Sequence, residues 1–431
     1  MGCIPVKEVL SVVAFLLSLA SLLITCLKRK RKVNTKNNAV QSKQRKKEIA
    51  VQNTKSKEDN VKITSITQEK EIAVRYTKSK EDHVKVTSIT QEAKTSDKAS
   101  SKPNPKAIDI TSFKPKKNKN LGNTCYFNAA LQALNFTKSF RESLQCLQSS
   151  SVNAQDLLLS KTVYDLMRGA ERNEDNSKEL KNVFKAIKNI YRNDPFVIGK
   201  QEDSHELLNT LLVGIFDEIK TLIKNMPNRR KDPDWIDARR IFTGCFIIMY
   251  VYDSCEDNVP RNELQTISLI SPQEGVEEGL FDLERVEEDE EFDLPCRICK
   301  TVGSGRAYRR LLVFQPPPVL VLHIDRFKMD DSRGLTKNTK LVKYPKCLNM
   351  AKFCSAVGKE RLQNRSLYEL YAVIVHKAPN CTNLDVSSQT KSKRADVDAD
   401  WFIVSDEFVS KVSEKDVLNH PNAYILFYEV Q

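Results

Sequence analysis

Apolar and polar positions divide the chain into three stretches. Val9 to Leu27 is a run of 19 uncharged, mostly apolar residues, close to the ~20 that a helix needs to cross a bilayer. Lys28-Arg29-Lys30-Arg31-Lys32 follows at once, and basic residues on that flank predict a single-pass anchor with the rest of the chain in the cytosol. A cleaved signal peptide fits less well, because the charge follows the apolar run. From 33 to 107 no period is sustained. Beyond residue 108 helical spacing takes over. Phe127, Ala130, Leu131 and Leu134 predict an amphipathic helix starting near Cys125, with Gly122 supplying the turn into it. Ser177 is placed to cap a helix carrying Leu180, Val183, Phe184, Ile187 and Tyr191. Asp203 or Ser204 is placed to cap another with Leu208, Leu211, Leu212, Ile215 and Phe216. From Phe242 the pattern turns β-rich, as in 246–252, 311–314 and 319–324. Helices first and strands later predict an α+β domain over 108–431.

Charge sharpens this division. The net charge of +13 resides in residues 1–107, which hold 23 basic and 10 acidic side chains. The remaining domain is neutral, which argues against nucleic acid as its partner. Residues 48–70 recur as 71–93 with 18 of 23 positions identical. Two copies are too few for a solenoid, and their Lys/Glu/Ser/Thr/Gln composition predicts a disordered linker. Its lysines are expected to be solvated or to touch anionic headgroups. Eleven cysteines, an odd number, fit a reducing compartment. Met1-Gly2-Cys3 invites lipidation, but Val6 stands where the myristoylation pattern wants Ser or Thr.

Cys125 is the candidate nucleophile. A thiol at a helix N-terminus faces unpaired N–H groups and the positive end of the dipole, which favours thiolate. Asn120, five residues upstream, offers an amide to the oxyanion formed when a carbonyl is attacked. Taken alone, a single cysteine is as readily a buried, inert one.

The strings around it resemble the ubiquitin-specific proteases, papain-like cysteine enzymes that cut after the C-terminal glycine of ubiquitin. The likeness rests on Asn120-Leu121-Gly122-Asn123-Thr124-Cys125-Tyr126-Phe127-Asn128, on the second box from Gln201 to Leu208, and on Cys296-Arg297-Ile298-Cys299. It continues through 318–327, through 368–376 ending in His376, and through 423–428, all in the family's order. The resemblance implies a thumb–palm–fingers fold, with fingers at about 240–312 and ubiquitin as the partner. Cys125 would be the nucleophile and Asn120 the oxyanion donor, with Gln201 and Asp203 of the second box on the substrate.

Two features depart from the family pattern. Its zinc site needs two Cys-x-x-Cys knuckles, and four thiolates complete a tetrahedral site. Here Cys296 and Cys299 form one, but Cys255 has Tyr252 where its mate belongs. Cys245 is a candidate fourth ligand; the other reading is a finger sheet that folds without metal. No cofactor is required for the reaction. The acidic stretch 287–291 reads as a solvated face. The second departure is the missing base. No histidine occurs between Lys377 and Asp400, and Asp385 falls near the vacancy. A carboxylate with an ordinary pKa near ~4 donates a proton poorly to an amine at neutral pH. His376 and His205 match structural histidines of the family.

The family's third triad position falls on Ser405, four residues after Trp401, with Asp406 beside it as a possible orienter of a histidine. A serine there, together with the anchor, is similar to the subgroup held in the mitochondrial outer membrane. Two functions follow. One is a membrane-anchored cysteine deubiquitinase. The other is a pseudoprotease that binds ubiquitin as a receptor or scaffold, or a product of an active gene whose histidine-bearing peptide was replaced.

Overall fold

The computed structural model describes residues 115, 117–149, 157–171, 175–191, 196–225, 237–252, 258–285, 287–289, 307–330, 334–362, 365–377, 386–391 and 400–431. The apolar run 9–27, the repeat, Cys255, Cys296, Cys299 and Asp385 lie outside them. No described helix is long and apolar enough to cross a membrane.

Helices come first: α1 (Cys125–Phe136), α2 (Lys138–Ser149), α3 (Leu158–Glu171), α4 (Ser177–Ile190), α5 (Ser204–Asn225) and α6 (Ala238–Phe242). Strands β1 (Gly244–Tyr252), β2 (Asn258–Gln265) and β3 (Ile267–Ile270) follow, then α7 (Val276–Leu283) and β4 (Glu287–Asp289). Next come β5 (Ala307–Gln315), β6 (Val319–Ile324), β7 (Phe327–Asp330), β8 (Gly334–Lys337), β9 (Cys347–Asn349), α8 (Ala356–Leu362) and β10 (Leu367–His376). The chain ends with β11 (Val386–Lys391), β12 (Trp401–Ser405), β13 (Phe408–Val412), α9 (Glu414–Leu418) and β14 (Ala423–Val430). The α+β order expected from periodicity is therefore present.

The strands form a four-stranded antiparallel sheet, β2-β1-β5-β4, and a larger sheet ordered β13-β12-β11-β10-β14-β6-β3, with β9 added beside β10. The smaller sheet occupies the stretch expected for the fingers. There Glu287–Asp289 of the acidic stretch pairs as a strand with Arg309, Tyr308 and Ala307 of β5. One face of the larger sheet, including Val319, Val321, Ile374 and Phe427, packs against the helical layer. Its other face, including Leu320, Leu322, Val373 and Leu426, packs on α7 and α9.

Two local expectations need correcting. Helix α1 begins at Cys125 as expected, but it buries its polar as well as its apolar side, since every residue from Cys125 to Asn135 is buried. Its polar positions Asn128, Gln132 and Asn135 carry the helical polarity into the interior, where such groups need partners. Helix α4 is capped one position earlier than Ser177. Asn176 holds the N-cap position, while Asp175 Oδ1 accepts from the Ser177 N–H at 3.0 Å. For α5 the alternatives resolve to Asp203, whose Oδ1 accepts from His205 N at 2.6 Å, satisfying one otherwise open donor of the first turn.

Candidate active site

Cys125, the candidate nucleophile, sits where two loops meet. In the first, Gly122 has φ +98° and Asn123 φ +52°; in the second, Gly199 has φ +95°. Left-handed backbone is the glycine region, and these turns let the loops interlock. Gly199 N donates to Gly122 O at 3.0 Å, and Asn123 Nδ2 donates to Gly199 O at 2.9 Å. The consequence lies two residues on, where Gln201 Nε2 reaches Cys125 Sγ at 3.9 Å. Cys125 is 7% exposed, while Asn120, Gly122 and Asn123 in the loop before it are exposed. The buried sulfur thus has a polar neighbour in Gln201.

Asn120 is fixed at both ends of its amide. Its Oδ1 accepts from Gly122 N at 2.9 Å and from Thr124 N and Thr124 Oγ1, both at 3.2 Å. Its Nδ2 donates to Asp406 Oδ2 at 2.8 Å. A primary amide has two N–H donors, so Asp406 occupies one and leaves the second for a ligand oxygen. The other Asp406 oxygen accepts from Asn128 Nδ2 at 2.6 Å. Asn128 lies three residues after Cys125, about one helical turn along, so Asp406 ties the loop that carries Asn120 to helix α1. Asp406 therefore orients amides instead of a histidine. Its own φ is +51°, in the turn between β12 and β13, and these contacts hold that costly conformation in place.

Ser405 ends β12 opposite Phe408 of β13. Its hydroxyl makes no hydrogen bond among the described residues. Asp203, expected on the substrate, is a capping residue whose second oxygen accepts from Tyr424 OH at 2.6 Å. Of the two second-box candidates, Gln201 alone touches the thiol.

The described histidines are engaged elsewhere. His205 and His323 stack with ring centroids 4.0 Å apart, and His323 meets Tyr424 edge-on at 4.6 Å. Burial, then the neighbouring His205, holds the His323 pKa well below its ordinary value. Burial also lowers that of His205, against the pull of Asp203. His376 is 4% exposed, packed against Phe327 and Tyr424. Burial, then Lys337, pushes its pKa down to about 4. His420 Nδ1 accepts from Asn422 N at 3.2 Å, and burial lowers its pKa too. Each of these four imidazoles is thus stacked, packed or hydrogen-bonded within the fold. Strand β11, which begins at Val386 opposite His376, follows the position of Asp385.

Cys245, the candidate fourth ligand, lies in an apolar environment, and the other three cysteines of that set lie outside the described residues. It is buried with Ile247, Met249, Leu312, Phe314 and Val357, and its thiol donates to Phe246 O at 3.9 Å. It lies seven residues along β1 from Tyr252, roughly 23 Å at ~3.3 Å per residue. Among the described residues no group of three or more His, Cys, Asp or Glu could hold a metal ion.

Several contributors escaped sequence reasoning: Asn128 and Tyr424, which lie inside quoted strings without a role, and Asn118 and Asn176, which carried no signal. Spacing alone could have found Asn128, on the same helix as Cys125.

Comparison with known proteins places this geometry. The sequence profile of ubiquitin carboxyl-terminal hydrolase matches residues 117–428. The human inactive ubiquitin carboxyl-terminal hydrolase 17-like protein 8 is 28% identical over 313 residues, covering 72% of this chain and 54% of that protein. This chain thus spans about half the length of that relative. Ubiquitin carboxyl-terminal hydrolase 12 of Salmo salar is 26% identical over 345 residues, covering 72% of this chain and 88% of that protein. Among solved structures, a SAGA DUB module (Ubp8/Sgf11/Sus1/Sgf73) bound to monoubiquitin matches with TM-score 0.60 and 21% identity, over 75% of this chain and 72% of that one. The same module bound to ubiquitin aldehyde matches with TM-score 0.59 and 22% identity, over 73% and 69%. The two structural likenesses show a shared fold.

Proposed function

Because the chain belongs to the ubiquitin carboxyl-terminal hydrolase family, we propose that it takes the C-terminal tail of ubiquitin and presents Cys125 to the final carbonyl, as a thiol-dependent deubiquitinase. The observation that carries this reading is the joint placement of Cys125, Gln201 and the Asp406-held Asn120. Attack forms a bond from sulfur to the carbonyl carbon and moves the carbonyl electrons onto oxygen. The second N–H of Asn120 donates to that oxyanion. Collapse breaks the C–N bond, the amine leaves with a proton, and water hydrolyses the thioester.

One specific observation favours a second reading, a ubiquitin-binding pseudoprotease. The amine needs a proton donor, and the four described histidines are stacked, packed or bonded elsewhere. The human relative is itself described as inactive. Losing the base from such a pair removes activity by orders of magnitude. We therefore assign slow turnover on a competent thiol.

The proposal also tethers the domain by Val9–Leu27, as a single-pass protein facing the cytosol, at the mitochondrial outer membrane ahead of the endoplasmic reticulum. The basic flank 28–32 and Ser405 at the third triad position support this. Zinc, if bound by Cys255, Cys296 and Cys299, would lack a fourth thiolate from Cys245, so the finger sheet is proposed to fold without it. Ubiquitin bearing a C-terminal electrophile tests the reading. Labelling of Cys125 with little turnover of fluorogenic ubiquitin is expected; turnover at the level of ordinary family members would overturn the account of the base, and no labelling would overturn that of the thiol.

A further inference from the structure

We propose that Asn176, through Asn118 and Lys119, is a positioning residue that sets the oxyanion amide of Asn120; the inference rests on the reading of Cys125 and Asn120 given above. Asn176 is 3% exposed and bonds across 58 residues of chain. Its Nδ2 donates to Asn118 Oδ1 at 2.7 Å, and its Oδ1 accepts from Lys119 N at 3.3 Å. The two bonds form a clasp on the segment immediately before Asn120.

The opposite side of that segment is held as well. Asn118 N donates to Asp406 O at 3.0 Å, and Lys119 O accepts from Asn128 Nδ2 at 3.2 Å. Residues 118–120 are therefore fixed between the β12–β13 turn and α4. Helix α4 is itself immobilised against the nucleophile helix, with Phe184 stacked on Phe127 at a centroid separation of 4.6 Å. Asn176 is thus a rigid reference point for the distance between Asn120 and Cys125.

Asn176 also forgoes the ordinary work of its position. An asparagine at an N-cap accepts from the first-turn N–H groups, yet Asn176 makes no such bond. Asp175 takes the Ser177 N–H in its place. The buried amide of Asn176 is thereby released for the clasp, and its removal spares the helix cap.

The test uses the full chain and compares ubiquitin aldehyde with unmodified ubiquitin. The aldehyde reports on the amide because thiol addition forms the S–C bond, opens the C=O bond and delivers the thiol proton to the oxygen, leaving a hemithioacetal whose oxygen needs that donor. Asn176→Ala is expected to weaken aldehyde binding about 10- to 100-fold, the scale of a misplaced or missing oxyanion donor, while affinity for unmodified ubiquitin stays within about twofold of wild type. Asn118→Ala, which breaks one of the two clasp bonds from the loop side, is expected to weaken aldehyde binding in the same selective way, by no more than Asn176→Ala does, and serves if Asn176→Ala does not fold. The double variant is expected to lose no more than Asn176→Ala alone, since that change already removes both bonds. Retention of the full aldehyde advantage in Asn176→Ala, a parallel fall for unmodified ubiquitin, or additive losses would each overturn the inference. If wild type binds ubiquitin but prefers no aldehyde, the inference also fails; if it binds no ubiquitin, the functional reading fails first.

Discussion

Asp406 and Asn120, 286 residues apart in sequence, meet at 2.8 Å through a carboxylate and an amide N–H. This contact, with those made by its Oδ1, decides where the Asn120 amide can point. Asp406→Ala removes it together with the Asn128 contact, while also relieving no left-handed strain, since alanine tolerates φ +51° no better. Labelling of Cys125 by electrophilic ubiquitin is expected to slow by about 100-fold or more. An unchanged rate would show that Asp406 has no part in the chemistry.

The missing base offers a gain-of-function prediction. Asp385→His places an imidazole immediately before β11. Turnover of fluorogenic ubiquitin is expected to rise about 100-fold or more, the usual contribution of a positioned acid–base group, and to vanish again with Cys125→Ala. Steady-state kinetics of the single and double variants decide it; no rise would mean that more than one histidine separates this site from rapid turnover.

Gly122→Ala isolates backbone strain. The nearest atom to an added Cβ is Gly199 Cα at 3.7 Å, so there is room for the methyl. The cost is conformational, about 1–2 kcal/mol for an L-residue at φ +98°. A lower melting temperature together with slower Cys125 labelling is expected, because the Gly122–Gly199 contact brings Gln201 to the thiol. A loss of stability without any effect on labelling would separate the turn from the site.

Acid is expected to destabilise the domain. The His376 pKa is about 4 when folded and ~6.5 when unfolded, so between these values the unfolded chain binds a proton that the native state refuses. Stability is undiminished above ~6.5, falls as pH drops through the window, and the His376 share approaches ~3 kcal/mol near pH 4. His205, His323 and His420 are shifted in the same direction. Urea midpoints between pH 7 and 4.5 should fall for wild type and fall less steeply for His376→Phe. Parallel slopes would remove His376 from the account.

Periodicity and turn residues gave away much of this architecture. The runs at 246–252 and 319–324 lie in β1 and β6, and Gly122 supplies the turn ahead of α1, because local backbone preference and continuous apolar runs are written into neighbouring residues. Cys125 and Asn120 were legible for the same reason: their loop and helix start lie within one string. The role of Asp406 was not, since a carboxylate beside a triad position reads equally well as a partner for imidazole or for amide. Asn176 was less legible still, because its partners Asn118 and Lys119 lie 58 and 57 residues away and Ser177 beside it reads as the cap.

What the sequence by itself determined is the order of elements, the candidate nucleophile with its nearby amide, and the want of a histidine between 377 and 400. Only the tertiary structure decided which polar groups hold that amide, that Cys245 belongs to an apolar cluster, and that the described histidines are spent on packing. The physical reason is range. Turns and periods arise from neighbours along the chain, whereas the partner of a buried donor is whichever group the fold carries to within 3 Å.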